Sequence, residues 1–259
     1  MGKHTRDMSD PKVVGIIPAR YASTRLPGKA LALICGKPMI QRVYERSIQA
    51  RLLDMVCVAT DDERIARVVQ EFGGRAIMTS RDHRSGTDRL AEAVQSLDAQ
   101  IVVNIQGDQP FIDPVMIEEV VRPLVEDRVL NMTTVMHPIG SSDDMHNPDF
   151  VKVVVDNAGF ALYFSRSLIP YPTTAEPHQV YEHVGLYAYT REFLFEFAGL
   201  PPTPLEKVEA LEQLRALEHG YRIRAVATAC RDNEFSGFSV DTAEDLARAE
   251  AMLRERGLE

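Results

Sequence analysis

The residues best suited to chemistry stand at the start of the chain. Arg20, Arg25 and Lys29 occupy the polar loop after the apolar run VVGIIP at Val13–Pro18. A guanidinium fork matches phosphate oxygens through two parallel hydrogen bonds, and an ammonium adds a compact charge. Three such groups on one loop suit a triphosphate. From Pro11 to Tyr44 there is no Asp or Glu, while Lys12, Arg20, Arg25, Lys29, Lys37 and Arg42 supply six cations. The whole chain carries a net charge of −9, so this is a local positive field in an acidic protein, a setting that attracts a small polyanion. A charge run that merely faces solvent is the competing reading. Neither the Walker A nor the GxGxxG spacing is present, so side chains would hold the phosphates. The acidic balance argues against a nucleic-acid partner.

A second group of candidates lies further along. Asp108 follows a strand that runs into Gln106-Gly107-Asp108. A carboxylate at the C-terminal end of a strand suits Mg²⁺, which takes few protein carboxylates and completes its shell with phosphate oxygens; beside Gly107 and Pro110 it also suits a turn. Ser85-Gly86-Thr87 precedes a periodic apolar helix and reads as a helix start, a position that also favours anionic or polar ligands. Glu212 falls between Leu205 and Val208 in the apolar arc of an expected helix Pro204–His219, where a carboxylate needs a partner or ligand; Gln213 points off that arc. Arg166, two residues past the strand-like Ala161–Phe164, is suited to a carboxylate or simply to solvent. His183 opens an apolar strand, where a lone His is more often structural.

The elements that must position these residues alternate in the first half. Strands are expected at Val13–Pro18, Met55–Ala59, Arg75–Met78 and Ile101–Ile105. Helices are expected at Pro38–Arg51, Asp62–Phe72 and Gly86–Leu97, with another opening at Asp113-Pro114. Such alternation implies a parallel sheet covered on both faces, with ligands beyond the carboxyl ends of its strands. In the second half, Met132–His137, Val151–Val155, Phe160–Phe164 and Val184–Tyr189 read as strands without long helices between them, so residues 131–190 are expected to form an antiparallel extension that meets the acceptor and carries a dimer contact. Arg222–Ala227 reads as a last strand and Ala243–Arg256 as a closing helix capped by Asp241 or Thr242.

The 259 residues, 45% hydrophobic, fit one domain over 1–259. No apolar run approaches the roughly 20 residues that span a bilayer, so no membrane association is expected. Residues 1–11 read as a flexible polar tail without a signal peptide's apolar stretch. Cys35, Cys57 and Cys230 are expected to be reduced cytoplasmic thiols.

With these residues in view, the chain resembles the 3-deoxy-manno-octulosonate (Kdo) cytidylyltransferases. The similarity begins with IIPARYASTRLPGK and continues through Gly36–Ile40, VATDD at Val58–Asp62, DHRSGTDRLAE at Asp82–Glu92 and VNIQGDQP at Val103–Pro110. It extends through VKVVVD, ALYFSR, HVGLYAY at His183–Tyr189 and LEQLRAL at Leu211–Leu217 to VDTAEDL at Val240–Leu246. The resemblance implies a Rossmann-like α/β fold with a mixed sheet, of the nucleotide-diphospho-sugar transferase type, bearing a smaller antiparallel extension. It implies transfer of CMP from CTP to the hydroxyl of Kdo with release of pyrophosphate, a Mg²⁺ cofactor and a homodimer.

Position by position, it implies that Arg20, Arg25 and Lys29 bind the phosphates, that Ser85, Gly86, Thr87 and Gln106 contact the nucleotide, and that Asp108 and Asp241 hold the metal. Arg20, Lys29, Asp108 and Asp241 form the catalytic group; Gln106, Arg166, His183, Tyr187, Glu212 and Gln213 bind the acceptor. Locally, Asp241 reads equally well as a helix cap. Two departures, Gln109 where the family has Glu and Ser239 where it often has Gly, leave 8-amino-Kdo or a small phosphonate such as phosphonoformate open as the acceptor. A nucleotide-sugar-dependent glycosyltransferase and a non-catalytic CTP-binding module are the alternatives from other classes.

Overall fold

The computed structural model describes residues 11–23, 25–83, 85–174, 178–230, 232, 235 and 237–258; the expected tail, save Pro11, lies outside them. The run Val13–Ala19 forms β1, the centre of the sheet. It pairs in parallel with β4 (Met55–Thr60) on one side and β6 (Ile101–Asn104) on the other. β5 (Ala76–Met78) adds in parallel to β4. Beyond β6 come β10 (Tyr181–Thr190), β7 (Met132–Pro138) and β11 (Arg224–Ala227), giving the order β11-β7-β10-β6-β1-β4-β5. β10 is antiparallel to both its neighbours, whereas β11 is parallel to β7. β2 (Leu33–Ile34) and β3 (Lys37–Pro38) make a separate two-stranded ribbon. The fold is therefore the expected mixed α/β sheet.

Burial on both faces explains why β1, β4 and β6 read as continuous apolar runs. Val13 and Ile17 pack with α1 (Met39–Ser47), α2 (Glu63–Glu71) and α4 (Pro114–Glu126) through Ile40, Val43, Ile65, Val69 and Met116. Val14 and Ile16 face the other way, into the core that holds Leu90 and Val94 of α3 (Gly86–Val94). The same core receives Phe193 and Phe197 of α6 (Arg191–Gly199) and Leu214 of α8 (Gln213–Glu218). A third cluster, Ile34, Met39, Phe111, Phe235, Val240 and Leu253, seats the last helix, α9 (Ala243–Glu255). There the Phe111 and Phe235 rings stack with centroids 4.3 Å apart, a contact of about 0.5–1.5 kcal/mol beyond the buried area.

The second half departs from the sequence reading. Of the four strands expected in an extension over 131–190, β7 and β10 belong to the main sheet. Only β8 (Lys152–Val155) and β9 (Ala161–Ser165) hang from it as an antiparallel pair against β10. Helices α5 (Ser142–His146) and α6 were not foreseen. The expected helix Pro204–His219 is two helices, α7 (Pro204–Glu209) and α8, because Ala210 adopts a left-handed φ of 54° that ends the first. The apolar arc assigned to Leu205 and Val208 is consequently absent: Val208 is 84% and Leu205 39% exposed.

Candidate active site

The carboxyl ends of β1 and β6 open into a cleft of about 360 Å³ lined by Arg20, Arg25, Lys29, Gln106, Asp108 and Asp241, among others. Half of the six cations foreseen as one basic field belong elsewhere. Lys12 pairs with Asp98, Lys37 with Glu45 at 2.6 Å, and Arg42 donates to the Ile34 carbonyl at 2.7 Å. Arg20, Arg25 and Lys29 remain for the cleft. Gly28, at φ 69°, makes the left-handed turn that L-residues with side chains resist, and Lys29 follows it at the start of a short helical turn. Lys29 Nζ lies 2.8 Å from Asp108 and 3.1 Å from Asp241, and Arg25 reaches Asp241 at 2.9 Å. Burial pulls the Lys29 ammonium down, but the two carboxylates outweigh it and raise its pKa above the ordinary value.

The backbone shows which residue caps the last helix. Thr242 caps α9 in a reciprocal box with Asp245, so Asp241 is left to face the cleft. The Asp108 carbonyl accepts from Val240 N–H at 2.9 Å, which fixes the two aspartate segments side by side. Gly107 is required there: a Cβ on it would stand 2.8 Å from the Pro18 carbonyl oxygen. Asp108 and Asp241 already converge on one cation, Lys29, and two carboxylates with room for phosphate oxygens match the donor set of Mg²⁺. The residues present therefore fit a divalent ion.

Beside the cleft, and sharing Pro18, Ala19 and Arg20 with it, lies a second hollow of about 180 Å³ lined also by His83, Ser85, Gly86 and Arg89. Ser85 caps α3, accepting from Asp88 N–H at 3.1 Å while Asp88 returns a bond to Ser85 N–H. The preceding loop is pinned by His83 to Glu92, which also accepts from Ser80 N–H at 2.8 Å. Buried Arg89 ties α3 to Asp61 at 3.0 Å.

Most of the acceptor candidates gather on the side of the sheet that carries α3 and α8. Gln106 donates to the Gly185 carbonyl at 2.7 Å. Gly185 and Leu186 form an irregularity in the β10–β7 ladder, where the register jumps between Val184 and Tyr187. Such bulges re-aim side chains near functional sites, and Thr134 satisfies the freed Leu186 carbonyl at 2.8 Å. His183 is buried, 2.9 Å from the Thr134 hydroxyl and packed against Phe164 and Tyr187. Burial holds its pKa down at about 3, so the ring is neutral. Tyr187 stacks on Tyr189, and burial raises both phenols. Thr87 donates to Glu212 at 2.6 Å.

Glu212 and Gln213 both turn inward, because α8 begins anew after the break at Ala210. Burial raises the Glu212 carboxyl, against hydrogen bonds from Thr87 and Ser85 and the Arg215 charge. Arg166 stands apart from this cluster. Its guanidinium donates to the Glu209 carbonyl at 2.9 Å and the Pro148 carbonyl at 3.0 Å, and its N–H to the Glu209 carboxylate at 3.0 Å.

Sequence reasoning passed over Asn104, Tyr189 and Lys152. Asn104 carried a signal: it is the polar residue of a strand buried on both faces. Its Oδ1, with Gln109 Oε1, Glu212 Oε1 and Gln213 Nε2, is buried without a hydrogen-bond partner among the described residues. Lys152, fully buried, donates to the carbonyls of Asn147, Phe150 and Arg166 at 2.8, 2.6 and 2.6 Å. Ser239 is exposed. Cys35, Cys57 and Cys230 form no disulfide among the described residues, and among those residues no helix is long and apolar enough to cross a membrane.

A mixed sheet with a cationic loop and two carboxylates beyond its strand ends defines the class as nucleotidyltransferase. The cytidylyltransferase family model matches residues 14–223. The chain is 53% identical to a 3-deoxy-manno-octulosonate cytidylyltransferase of Syntrophotalea carbinolica, over 93% of this chain and 98% of the relative. It is 52% identical to that of Geobacter sulfurreducens, over 93% and 99%. A solved CMP:2-keto-3-deoxy-manno-octonic acid synthetase complexed with CTP superposes with a TM-score of 0.89 at 46% identity, covering 95% of this chain and 99% of that one. The chain belongs to the 3-deoxy-manno-octulosonate cytidylyltransferase family of nucleotidyltransferases. A 4-diphosphocytidyl-2C-methyl-D-erythritol synthase from Anaerococcus prevotii shares the fold alone, at 15% identity and a TM-score of 0.60.

Proposed function

We propose that this protein transfers CMP from CTP to a hydroxyl of Kdo, releasing pyrophosphate and forming CMP-Kdo. The observation that carries the reading is the convergence of Asp108 and Asp241 on the Lys29 ammonium, at 2.8 and 3.1 Å, in a cleft that also presents Arg20 and Arg25. Nucleotidyl transfer asks little covalent work of a protein; positioning and charge neutralisation supply most of the acceleration. Arg20, Arg25 and Lys29 would hold the phosphates and neutralise the charge that builds on the leaving pyrophosphate. Asp108 and Asp241 would hold Mg²⁺. Mg²⁺, when bound, would polarise the α-phosphate and lower the pKa of the attacking hydroxyl.

Ser85, Gly86 and Thr87 would border the nucleotide, with Gln106 between nucleotide and acceptor. His183, Tyr187, Glu212 and Gln213 would receive the sugar; Arg166 is assigned to its carboxylate, although its guanidinium also braces the backbone. The family implies a homodimer in the cytoplasm, and residues 131–190 are the region assigned to the acceptor and the dimer contact. The test is pyrophosphate release from CTP and Mg²⁺ with Kdo, 8-amino-Kdo, a sialic acid and phosphonoformate. Release with Kdo in preference to the others is the expected result. Release only with phosphonoformate would overturn the acceptor and keep the cytidylyl chemistry.

A further inference from the structure

The first turn of α3 has been assigned to the nucleotide, yet one of its side chains is committed elsewhere. Thr87 is 1% exposed, and its hydroxyl donates to Glu212 Oε2 at 2.6 Å, joining residues 125 apart in sequence. This bond crosses from the helix whose N-terminus faces the second hollow to the helix that carries the acceptor candidates Glu212 and Gln213. The two oxygens of Glu212 are thereby made unequal. Oε2 is anchored; Oε1 makes no hydrogen bond among the described residues, and Arg215, committed to Glu206 at 2.8 Å, stands 3.5 Å from it. A carboxylate fixed by one oxygen and without a hydrogen bond at the other is set to accept from a ligand's O–H or N–H, and it repels a group that offers only anionic oxygens.

Resting on the proposed sugar-activating function, we infer that Thr87 is a positioning residue for the acceptor: its hydroxyl orients Glu212 so that Oε1 accepts a hydrogen bond from an acceptor hydroxyl, which couples the nucleotide-facing turn of α3 to the sugar side of the site. Thr87 then acts through Glu212 and contributes its side chain to the acceptor subsite rather than to CTP. A hydrogen bond to a charged group is stronger than one between neutral groups, and a buried carboxylate freed of its anchor loses the geometry that the ligand reads.

The experiment is steady-state pyrophosphate release by the full chain, with CTP and the acceptor varied separately. It compares wild type, Thr87→Val, Thr87→Ser, Glu212→Ala and the double variant Thr87→Val/Glu212→Ala. Valine keeps the shape of threonine and removes only the hydroxyl. Thr87→Val is expected to raise the acceptor KM by about tenfold or more and leave the CTP KM unchanged. Thr87→Ser is expected to restore most of the loss, and Thr87→Val to add nothing in the Glu212→Ala background. A rise in the CTP KM instead, an unchanged acceptor KM, or an equal further loss on top of Glu212→Ala would each overturn the inference. Should Thr87→Val fail to fold, Thr87→Ala is read by the same split: a rise in the acceptor KM with the CTP KM unchanged supports the inference, and a CTP-specific defect or unchanged kinetics sinks it. If wild type turns over an acceptor other than Kdo, the proposed function fails, and the same split is read with that acceptor.

Discussion

The two ends of the site solve opposite problems. At the phosphate end, Arg25, Lys29, Asp108 and Asp241 are charged and partly solvated, and in the protein alone they satisfy one another; Arg25 is 64% exposed. At the acceptor end, Asn104 Oδ1, Gln213 Nε2 and Glu212 Oε1 are buried without a hydrogen-bond partner among the described residues. Charges near water keep part of their solvation and tolerate an internal counter-ion until a ligand replaces it. Buried polar groups have no such refuge, and each one without a hydrogen bond costs about 1–3 kcal/mol. The phosphate end is thus held by exchangeable ion pairs, whereas the acceptor end stores unpaired donors and acceptors that a polyhydroxylated ligand would complete.

The sharpest way to break this comparison is at the carboxylates. Asp108→Ala should lower kcat by about a thousandfold, measured as pyrophosphate release. The melting temperature should hold, because the Val240-to-Asp108 tie uses the backbone. Large residual activity would remove Asp108 from the metal site.

Two matched substitutions then separate the ends. Arg25→Ala should raise the CTP KM about tenfold with the acceptor KM unchanged; Gln213→Leu should do the reverse, on the scale of one lost hydrogen bond to a ligand. Because Gln213 Nε2 has no partner among the described residues, Leu should not lower the unfolding free energy in denaturant titrations. Loss of stability in Gln213→Leu would show that its amide serves the fold.

A smaller effect follows from His183. Its folded pKa, about 3, lies below the ordinary 6.5 because burial disfavours the charged ring. As pH falls below 6.5 the unfolded chain takes up a proton that the folded ring refuses, so this contribution to stability is present above 6.5 and is lost progressively toward 3. Wild type should therefore lose up to about 1.4 kcal/mol per pH unit relative to His183→Gln in that window. Parallel stability curves for the two proteins would place a proton on the native ring. The least change is expected at Cys57, whose thiol burial pushes up to about 12; a thiol-reactive probe should label partly exposed Cys35 and Cys230 first.

The basic loop, the strand–helix alternation and the helix starts near Ser85 and at Asp241 or Thr242 were legible because charge, periodicity and caps are local properties. Glu212 shows a right residue reached by a wrong route: the continuous helix that made it inward-facing does not exist, and the break at Ala210 turned both it and Gln213 toward the core. The competing local readings of Asp241 were separated by one residue, Thr242, which takes the cap. Arg166 read as a ligand or surface group, and the fold instead spends part of its guanidinium on the Glu209 and Pro148 carbonyls.

By itself the sequence determined the alternating elements of the fold, the cationic loop and the placement of Asp108 at a strand end, since these follow from residue type and spacing along single elements, whereas a metal role for Asp241 is what the family resemblance implies. Tertiary structure alone decided that β10 is inserted antiparallel between β6 and β7, that its bulge hands the Gly185 carbonyl to Gln106, and that Thr87 meets Glu212 across 125 residues of chain. Those contacts join distant segments. Their partners are chosen by how the helices pack on the two faces of the sheet, and neither periodicity nor propensity within one element carries that information.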